Sequence, residues 1–243
     1  MNVKRYGIDA PFALLIYTVF GIGLLGHAFL NRSNYPIGIE VVIGIVLIVG
    51  AAIYWHTTTS GKYRIFDHAV EQLRPDIHDQ ILDLGCGRGA LLTRLASQVQ
   101  VPGKVVGLDL WLSRDQSNNK MTTTQKNVDD LGLTERVNLV TGDMTKLDFP
   151  DESFEIITSS FAIHNIKNKQ ARDQAINEAV RVLKPHGKIM IIDTGHNMNE
   201  YGQTLQAAGV QVTQLKRLGF NGWWATPLTG SYMVVGCKTI LDE

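Results

Sequence analysis

Two long apolar runs at the start of the chain constrain it more than any other feature. Pro11 to Leu30 reads PFALLIYTVFGIGLLGHAFL and carries no charge beyond a titratable His27; Pro36 to Trp55 reads PIGIEVVIGIVLIVGAAIYW and carries one, Glu40. Each run is about 20 residues, which at about 1.5 Å per residue matches a hydrocarbon core of about 30 Å. Only Asn31 to Tyr35 separates them, so the expectation is a tight antiparallel transmembrane hairpin, about 10–30 and 36–55. Gly21, Gly23 and Gly26 in the first run and Gly38, Gly44 and Gly50 in the second allow close backbone approach. Tyr17, Tyr35, Tyr54 and Trp55 include interfacial anchors. The length of the first run, with a second following at once, argues against a cleaved secretory signal. A buried soluble hairpin would need a large partner surface. Lys4 and Arg5 before the hairpin and Lys62 and Arg64 after it outnumber Arg32 in the turn. The positive-inside bias therefore predicts a two-pass cell-membrane protein with both termini and the following domain in the cytoplasm. Glu40, shallow in the second run, is expected to reach the headgroups.

The rest of the chain has a different composition. Residues 1–60 hold only Lys4, Arg5, Arg32, Asp9 and Glu40 as charged side chains, whereas the other 183 residues hold 20 basic and 21 acidic ones. The chain is thus divided into an anchor, 1–59, and a domain of ordinary soluble composition, 60–243. A formal net charge of zero excludes a nucleic-acid binder that works through bulk positive charge. Cys86 and Cys237 are too few for a disulfide framework and fit a reducing compartment. No His, Cys and Asp cluster has metal-ligand spacing, so no metal is expected.

Within the domain, Ser60 to Arg74 places Ile65, Phe66, Ala69, Val70 and Leu73 on one helical stripe that Pro75 ends. Short apolar strands are expected at Gln80–Leu84, Lys104–Leu108, Arg136–Val140, Phe154–Thr158 and Lys188–Asp193. Helices are expected near Ala90–Gln98, Met121–Leu131 and Gln170–Leu183. This alternation predicts a doubly wound, mostly parallel α/β sheet. The tail breaks it. A helix at Tyr201–Ala208 is followed by strands at Val210–Leu218 and Ser231–Thr239, joined by GFNGWWATPLTG, which has no room for a crossover helix. The last strand must then run antiparallel to its neighbour.

The densest chemistry sits in Ile81 to Ala90, ILDLGCGRGA. A strand runs into Gly85, Gly87 and Gly89, which permit a sharp turn and close backbone approach to a ligand. Read loosely, the spacing also fits a dinucleotide fingerprint. Asp83 weighs against that, because a carboxylate two residues before the first glycine repels a pyrophosphate and suits an ammonium or sulfonium. Asp109 ends the second strand, where an acid accepts hydrogen bonds from ribose hydroxyls. Thr141-Gly-Asp-Met144 follows the third strand, with Asp143 available to an adenine amino group, and Ser159 to Ile166 follows the fourth. All lie at carboxyl ends of strands, where such sheets place ligands.

The ordered set DLGCGRG, VVGLD, GDM, SFEIITSSFAIHNI and EAVRVLKPHGKIMIID resembles the class I S-adenosylmethionine-dependent methyltransferases, in the branch that includes quinone and sterol methyltransferases. The resemblance spans about residues 61–240 and leaves the hairpin outside. It implies a seven-stranded sheet ordered 3-2-1-4-5-7-6 with strand 7 antiparallel, and S-adenosylmethionine as cofactor. It also implies Asp83, Gly85 and Gly87 at the methionine part, Asp109 at the ribose, Leu110, Asp143 and Met144 at the adenine, and Ser159 or Ser160 near the methionine end. One departure stands out: Trp111 to Asn119 extends the loop after the ribose acid, a candidate lid or substrate element.

Together these readings predict a membrane-anchored methyltransferase acting on a lipophilic small-molecule or lipid acceptor. The rivals are a nucleotide-dependent oxidoreductase and a noncatalytic cofactor-binding module of a membrane complex. His164 lies where the family's acceptor cleft opens, as a general base or as a shape-giving side chain; His196 and His186 rank behind it. Cys86 contributes backbone to the glycine motif rather than a nucleophile. Trp223 and Trp224 contact an acceptor, meet the membrane surface or cover the sheet. Lys62, Tyr63 and Arg64 read as juxtamembrane anchors first and cofactor-side residues second.

Overall fold

The structure, a computed structural model, describes residues 5–31, 38–112 and 119–239. Lys4, Arg32, Tyr35, Pro36 and Ser113 to Asn118, all named above, lie outside the described residues, and with them most of the interhelical turn and of the extended loop. Helix α1 (Pro11–Leu30) and helix α2 (Gly38–His56) pack as a hairpin. They cross where Gly21 faces Gly44: a Cβ on Gly21 would meet Ile48 at 2.8 Å, and one on Gly44 would meet Leu25 at 2.8 Å. Gly23, Gly26 and Gly38 have open space instead, and Gly50 packs on Tyr17 and Ala225. Glu40 does not stand alone, because His27 Nδ1 lies 2.9 Å from its Oε2. Both helices are long and apolar enough to cross a membrane, and most of their surface is exposed.

Helix α2 does not end in a loop. It continues through a π turn (Thr57–Gly61) into α3 (Lys62–Leu73), the first helix of the domain, so a single rod runs from Gly38 to Leu73. The stripe expected for α3 is buried, and Arg74 caps it in a left-handed conformation before Pro75. Because the rod is continuous, Lys62 and Tyr63 turn inward and are buried, and only Arg64 keeps an exposed position. This corrects the reading of Lys62 and Tyr63 as juxtamembrane anchors.

The sheet has the order that the resemblance implied and the antiparallel last strand that the tail required. Strands β1 (Gln80–Leu84), β2 (Lys104–Asp109), β3 (Val137–Thr141), β4 (Phe154–Ser160), β5 (Leu183–Thr194), β6 (Val210–Arg217) and β7 (Ser231–Lys238) form one sheet in the order β3-β2-β1-β4-β5-β7-β6. Strand β7 is antiparallel to both neighbours and the other pairings are parallel. Helices α4 (Leu92–Ala96), α5 (Met121–Asp129), α6 (Lys169–Val182) and α7 (Met198–Ala207) fill the connections. Two buried layers result, one on each face of the sheet. Strand β5 starts five residues earlier than expected. Leu183 pairs with Phe154 before a register shift carries the strand past Lys184 to Gly187, where His186 takes φ 62°. Pro185 and Gly187 are turn-favouring residues, but the chain stays extended across an irregularity there.

The residues preceding α1 are docked on the domain. Tyr6 is buried, lies 6.1 Å from the Tyr63 ring and shares a 2.6 Å hydrogen bond with Thr93 Oγ1. The Arg5 carbonyl accepts from Arg88 Nη2 at 2.6 Å and from Asn127 Nδ2 at 3.2 Å. Asp9 Oδ2 lies 2.5 Å from Lys62 Nζ, and its backbone N–H donates to Thr58 Oγ1 at 3.0 Å. Removing the Tyr6 ring should therefore open a core void. Tyr6→Ala is expected to lower unfolding free energy by about 3 kcal/mol or more. Tyr6→Phe should cost about 1 kcal/mol for the single hydrogen bond. Denaturant unfolding of the detergent-solubilised chain checks both, and equal stability of all three proteins would show that the N-terminal segment does not dock.

Candidate active site

Chain reversal at the switch point opens the site. Strand β1 sits between β2 and β4, so the segments after it diverge and leave a crevice at their carboxyl ends. The turn after β1 is tightly set. Gly85 has φ 70° and its N–H donates to the Leu108 carbonyl at 2.7 Å; a Cβ there would lie 2.3 Å from that of Ala162. Gly87 and Gly89 also take positive φ. The resulting cavity of about 400 Å3 is lined by Gly85, Gly87, Asp109, Leu110, Asp143, Met144, Ser160 and His164, among others.

Asp109 organises the polar part. Its Oδ2 accepts from the Gly87 N–H at 2.8 Å, and its Oδ1 accepts from the Trp111 N–H at 2.6 Å and from Asn119 Nδ2 at 3.2 Å. Trp111 is held in a left-handed conformation, φ 57°, with its indole N–H on Thr141 Oγ1 at 2.9 Å. Asp143 accepts from the Thr145 N–H at 2.8 Å and stays exposed. Cys86 is buried, and burial pushes its thiol well above the ordinary range, so it is a poor nucleophile.

Two expected residues stand back from the cavity wall. Asp83 is completely buried within β1 and accepts from Thr158 Oγ1 at 2.8 Å. It is not among the lining residues, because β1 is a central strand covered on both faces. Ser159 is buried in the neighbouring central strand β4 and donates to the Leu84 carbonyl at 3.0 Å, while Ser160, the last residue of β4, reaches the wall. Burial raises the Asp83 pKa to about 7, opposed by the Thr158 hydrogen bond and reinforced by the charge of Asp109.

His164 sits in a short 3-10 turn after β4 and lines the cavity. Its Nδ1 lies 2.5 Å from Asp193 Oδ1, and its backbone N–H donates to Asp193 Oδ2 at 2.9 Å. Asp193 is buried near the end of β5 and also receives the Tyr201 hydroxyl at 3.2 Å. A neutral ring so held keeps its proton on Nδ1 and leaves Nε2 as the basic nitrogen. Sequence reasoning missed Asp193; its only signal was an acid at the carboxyl end of a strand adjacent to β4. It named Trp224 as one candidate acceptor contact but missed the aromatic wall that Phe66, Phe161 and Tyr54 form with it. Phe161 lies 6.0 Å from Phe66 and 5.5 Å from Trp224, and Trp224 lies 5.3 Å from Tyr54. Asp9, Ala10 and Lys62 complete the lining from the N-terminal side. His186 and His196 are not among the lining residues.

Residues 82–191 match the family described as a methyltransferase domain. A demethylmenaquinone methyltransferase of Lactobacillus johnsonii is 36% identical over 130 residues, covering 53% of this chain and 49% of that protein. The chain thus spans about half the length of this curated relative. A SAM-dependent methyltransferase structure from Aquifex aeolicus superposes with TM-score 0.57 at 22% identity, over 71% of this chain and 88% of that one. The [4+2]-cyclase SpnF superposes with TM-score 0.60 at 19% identity, over 73% and 81%. Likeness at that identity shows the fold: this chain has the α/β methyltransferase fold with its seven-stranded mixed sheet.

The raised pKa of Asp83 gives the protein a pH signature. Below about pH 4 both folded and unfolded chains hold the proton, and above about pH 7 both have lost it. Between those limits the unfolded chain binds fewer protons, so stability falls as pH rises. Asp83→Asn keeps an acceptor for Thr158 and should flatten that fall. Unfolding titrations at several pH values check this, and identical slopes in both proteins would show that Asp83 titrates normally.

Proposed function

We propose that this protein transfers a methyl group from S-adenosylmethionine to a lipophilic, quinone-type acceptor at a membrane surface. One observation carries the reading. A single cavity joins the glycine turn and its acids to an aromatic wall, with the His164–Asp193 pair on the same lining. The residues present fit the cofactor. Asp9, Asp109 and Asp143 line the cavity with the buried Asp83 nearby, and the lining cations Lys62 and Arg88 are engaged by Asp9 and the Arg5 carbonyl. That balance suits a cation and opposes a pyrophosphate, which disfavours the oxidoreductase. Gly85, Gly87, Asp109, Leu110, Asp143, Met144 and Ser160 would hold the cofactor, which supplies a methyl made electrophilic by the sulfonium.

The chain's own part is orientation, exclusion of water and movement of a proton. Phe66, Phe161 and Trp224 present flat apolar faces to an aromatic ring. His164 Nε2 takes the proton that the acceptor hydroxyl or ring carbon loses as the new bond to methyl forms. Asp193 stabilises the imidazolium so produced. The acceptor class is supported by the name of the Lactobacillus johnsonii relative and by the two apolar, exposed helices. We place residues 1–59 in the bilayer and at its surface, with both termini and the domain from about residue 60 in the cytoplasm, on the charge bias of the flanks.

Asp109→Ala should weaken S-adenosylmethionine binding by about 1.5–3 kcal/mol, read by equilibrium titration. Unchanged affinity in a folded variant removes the ribose assignment. Radiolabelled methyl transfer into fractionated lipid extract, with S-adenosylhomocysteine measured in parallel, tests the activity. Cofactor binding without turnover would leave a binding module. Once an acceptor is labelled, His164→Ala should lower turnover by roughly 10²–10⁴-fold if the imidazole is the base. His164→Gln should be nearly as slow, because an amide replaces one hydrogen bond but shuttles no proton; recovery in Gln would leave His164 a positioning residue.

A further inference from the structure

The loop Gly219–Gly230 carries an inference beyond the anchor itself. Strand β7 is antiparallel, so its first residue, Ser231, pairs with Thr194 at the carboxyl end of β5. The loop that leads into β7 therefore emerges on the edge of the sheet where the cavity opens. From there it follows the helix rod. Thr57 Oγ1 donates to the Trp223 carbonyl at 2.5 Å, and a Cβ on Gly61 would lie 2.2 Å from the Asn221 carbonyl oxygen. His56 stacks on Phe220 at 4.6 Å. Further along, Ala225 packs against Gly50, where an added Cβ would sit 3.5 Å from both the Ala225 Cβ and the Tyr17 ring. Gly50 lies six residues before His56 and Tyr17 six after Pro11, about 9 Å along each helix from its domain-side end.

Resting on the reading of α1 and α2 as membrane spans, we infer that the Gly219–Gly230 loop is immersed in the bilayer interface, with Leu228 among the acyl chains. Three further observations agree. The twelve residues GFNGWWATPLTG contain no charged side chain, and Lys216 and Arg217 stand one residue before them, placed for anionic headgroups. Leu228 is 81% exposed and Phe220 50%, as expected of side chains that face lipid rather than a packed core.

The loop also pairs part of its own backbone, which non-helical chain at membrane depth needs. The Trp224 N–H donates to the Thr229 carbonyl at 3.3 Å, the Thr229 N–H to the Thr226 carbonyl at 3.2 Å, and the Thr229 hydroxyl to the Trp224 carbonyl. The Trp224 indole donates to Ser231 Oγ at 2.9 Å. Because Trp224 and Tyr54 pack edge to face and both line the cavity, this aromatic pair is the wall between the site and the lipid. An acceptor can then bring its ring to the cavity while its tail stays in the bilayer.

Depth-dependent fluorescence quenching in proteoliposomes tests this with the full chain. Cys237 is replaced by Ser, and Cys86 is kept because it is buried and unreactive. A single environment-sensitive fluorophore is attached at Leu228→Cys, at Phe220→Cys, at Val46→Cys in the middle of α2, or at the exposed Lys146→Cys after β3, at the other end of the sheet from β7. Vesicles of phosphatidylcholine and phosphatidylglycerol carry a nitroxide high or low on the acyl chain. The label at 228 should be quenched at least threefold more by the shallow nitroxide than the label at 146, and the label at 46 most by the deep one. Quenching at 46 with 228 and 220 no different from 146 would overturn the immersed loop and leave the anchor standing. No quenching at 46 either would overturn the anchor and the inference together.

Discussion

At Gly85 the chain has no room for a side chain, and the site depends on that contact. The left-handed turn brings the Gly85 N–H onto the Leu108 carbonyl and its Cα against Ala162. The first contact ties β1 to the end of β2, and the second ties it to the segment beyond β4. Asp109 completes the brace by accepting from the Gly87 N–H. A crevice at a switch point is a topological fact, but its width is set by such contacts. Any residue with a Cβ at position 85 must both adopt φ 70° and push Ala162 away, displacing the 3-10 turn that carries His164.

A second constraint links the site to the hairpin. The helix continues from Gly38 to Leu73 without a hinge loop, so the orientation of α3, and of Phe66 on it, is tied to that of α2. Lys62 is almost fully buried where the rod enters the domain, and Asp9 answers its charge from the segment before α1. Breaking such a pair leaves an uncompensated buried charge, which costs far more than the pair contributes. The two ends of the hairpin are thus held together at the cavity wall, and the hairpin is part of the geometry of the site.

Much of this was legible in residue order. Alternating apolar strands and helices, with a tail too short for a crossover, gave the mostly parallel sheet and an antiparallel last strand, while the strand order came only from the resemblance to the class I methyltransferases. The glycine turn, Asp109 and Asp143 reached the cavity as expected, because local spacing decides where a strand ends and which residues form the turn after it. The features that stayed hidden depend on distant pairing. Asp193 meets His164 only because β5 lies beside β4, and no local pattern at 193 announces it. Lys62 reads as an anchor until the π turn is seen to carry the helix onward, rotating 62 and 63 inward. Asp83 and Ser159 were placed on the wall by motif position, whereas both lie in central strands whose two faces are covered, and they are buried there.

The division of labour along the chain results from these placements. Most of the polar part of the cavity comes from residues inside 82–191, the segment that matches the methyltransferase domain, with Asp9 and Lys62 added from outside it. The aromatic part draws Phe161 from that segment but Phe66, Tyr54 and Trp224 from outside it. A fold shared with a [4+2]-cyclase does not choose a reaction; side chains around the reacting atoms do. Here the hairpin, the segment before it, α3 and the loop packed along the rod place side chains on the cavity wall beside Phe161 and His164. The aromatic side of the cavity is thus built from parts of the chain that are separate from the glycine turn and its acids, so one side can vary in sequence while the other is kept.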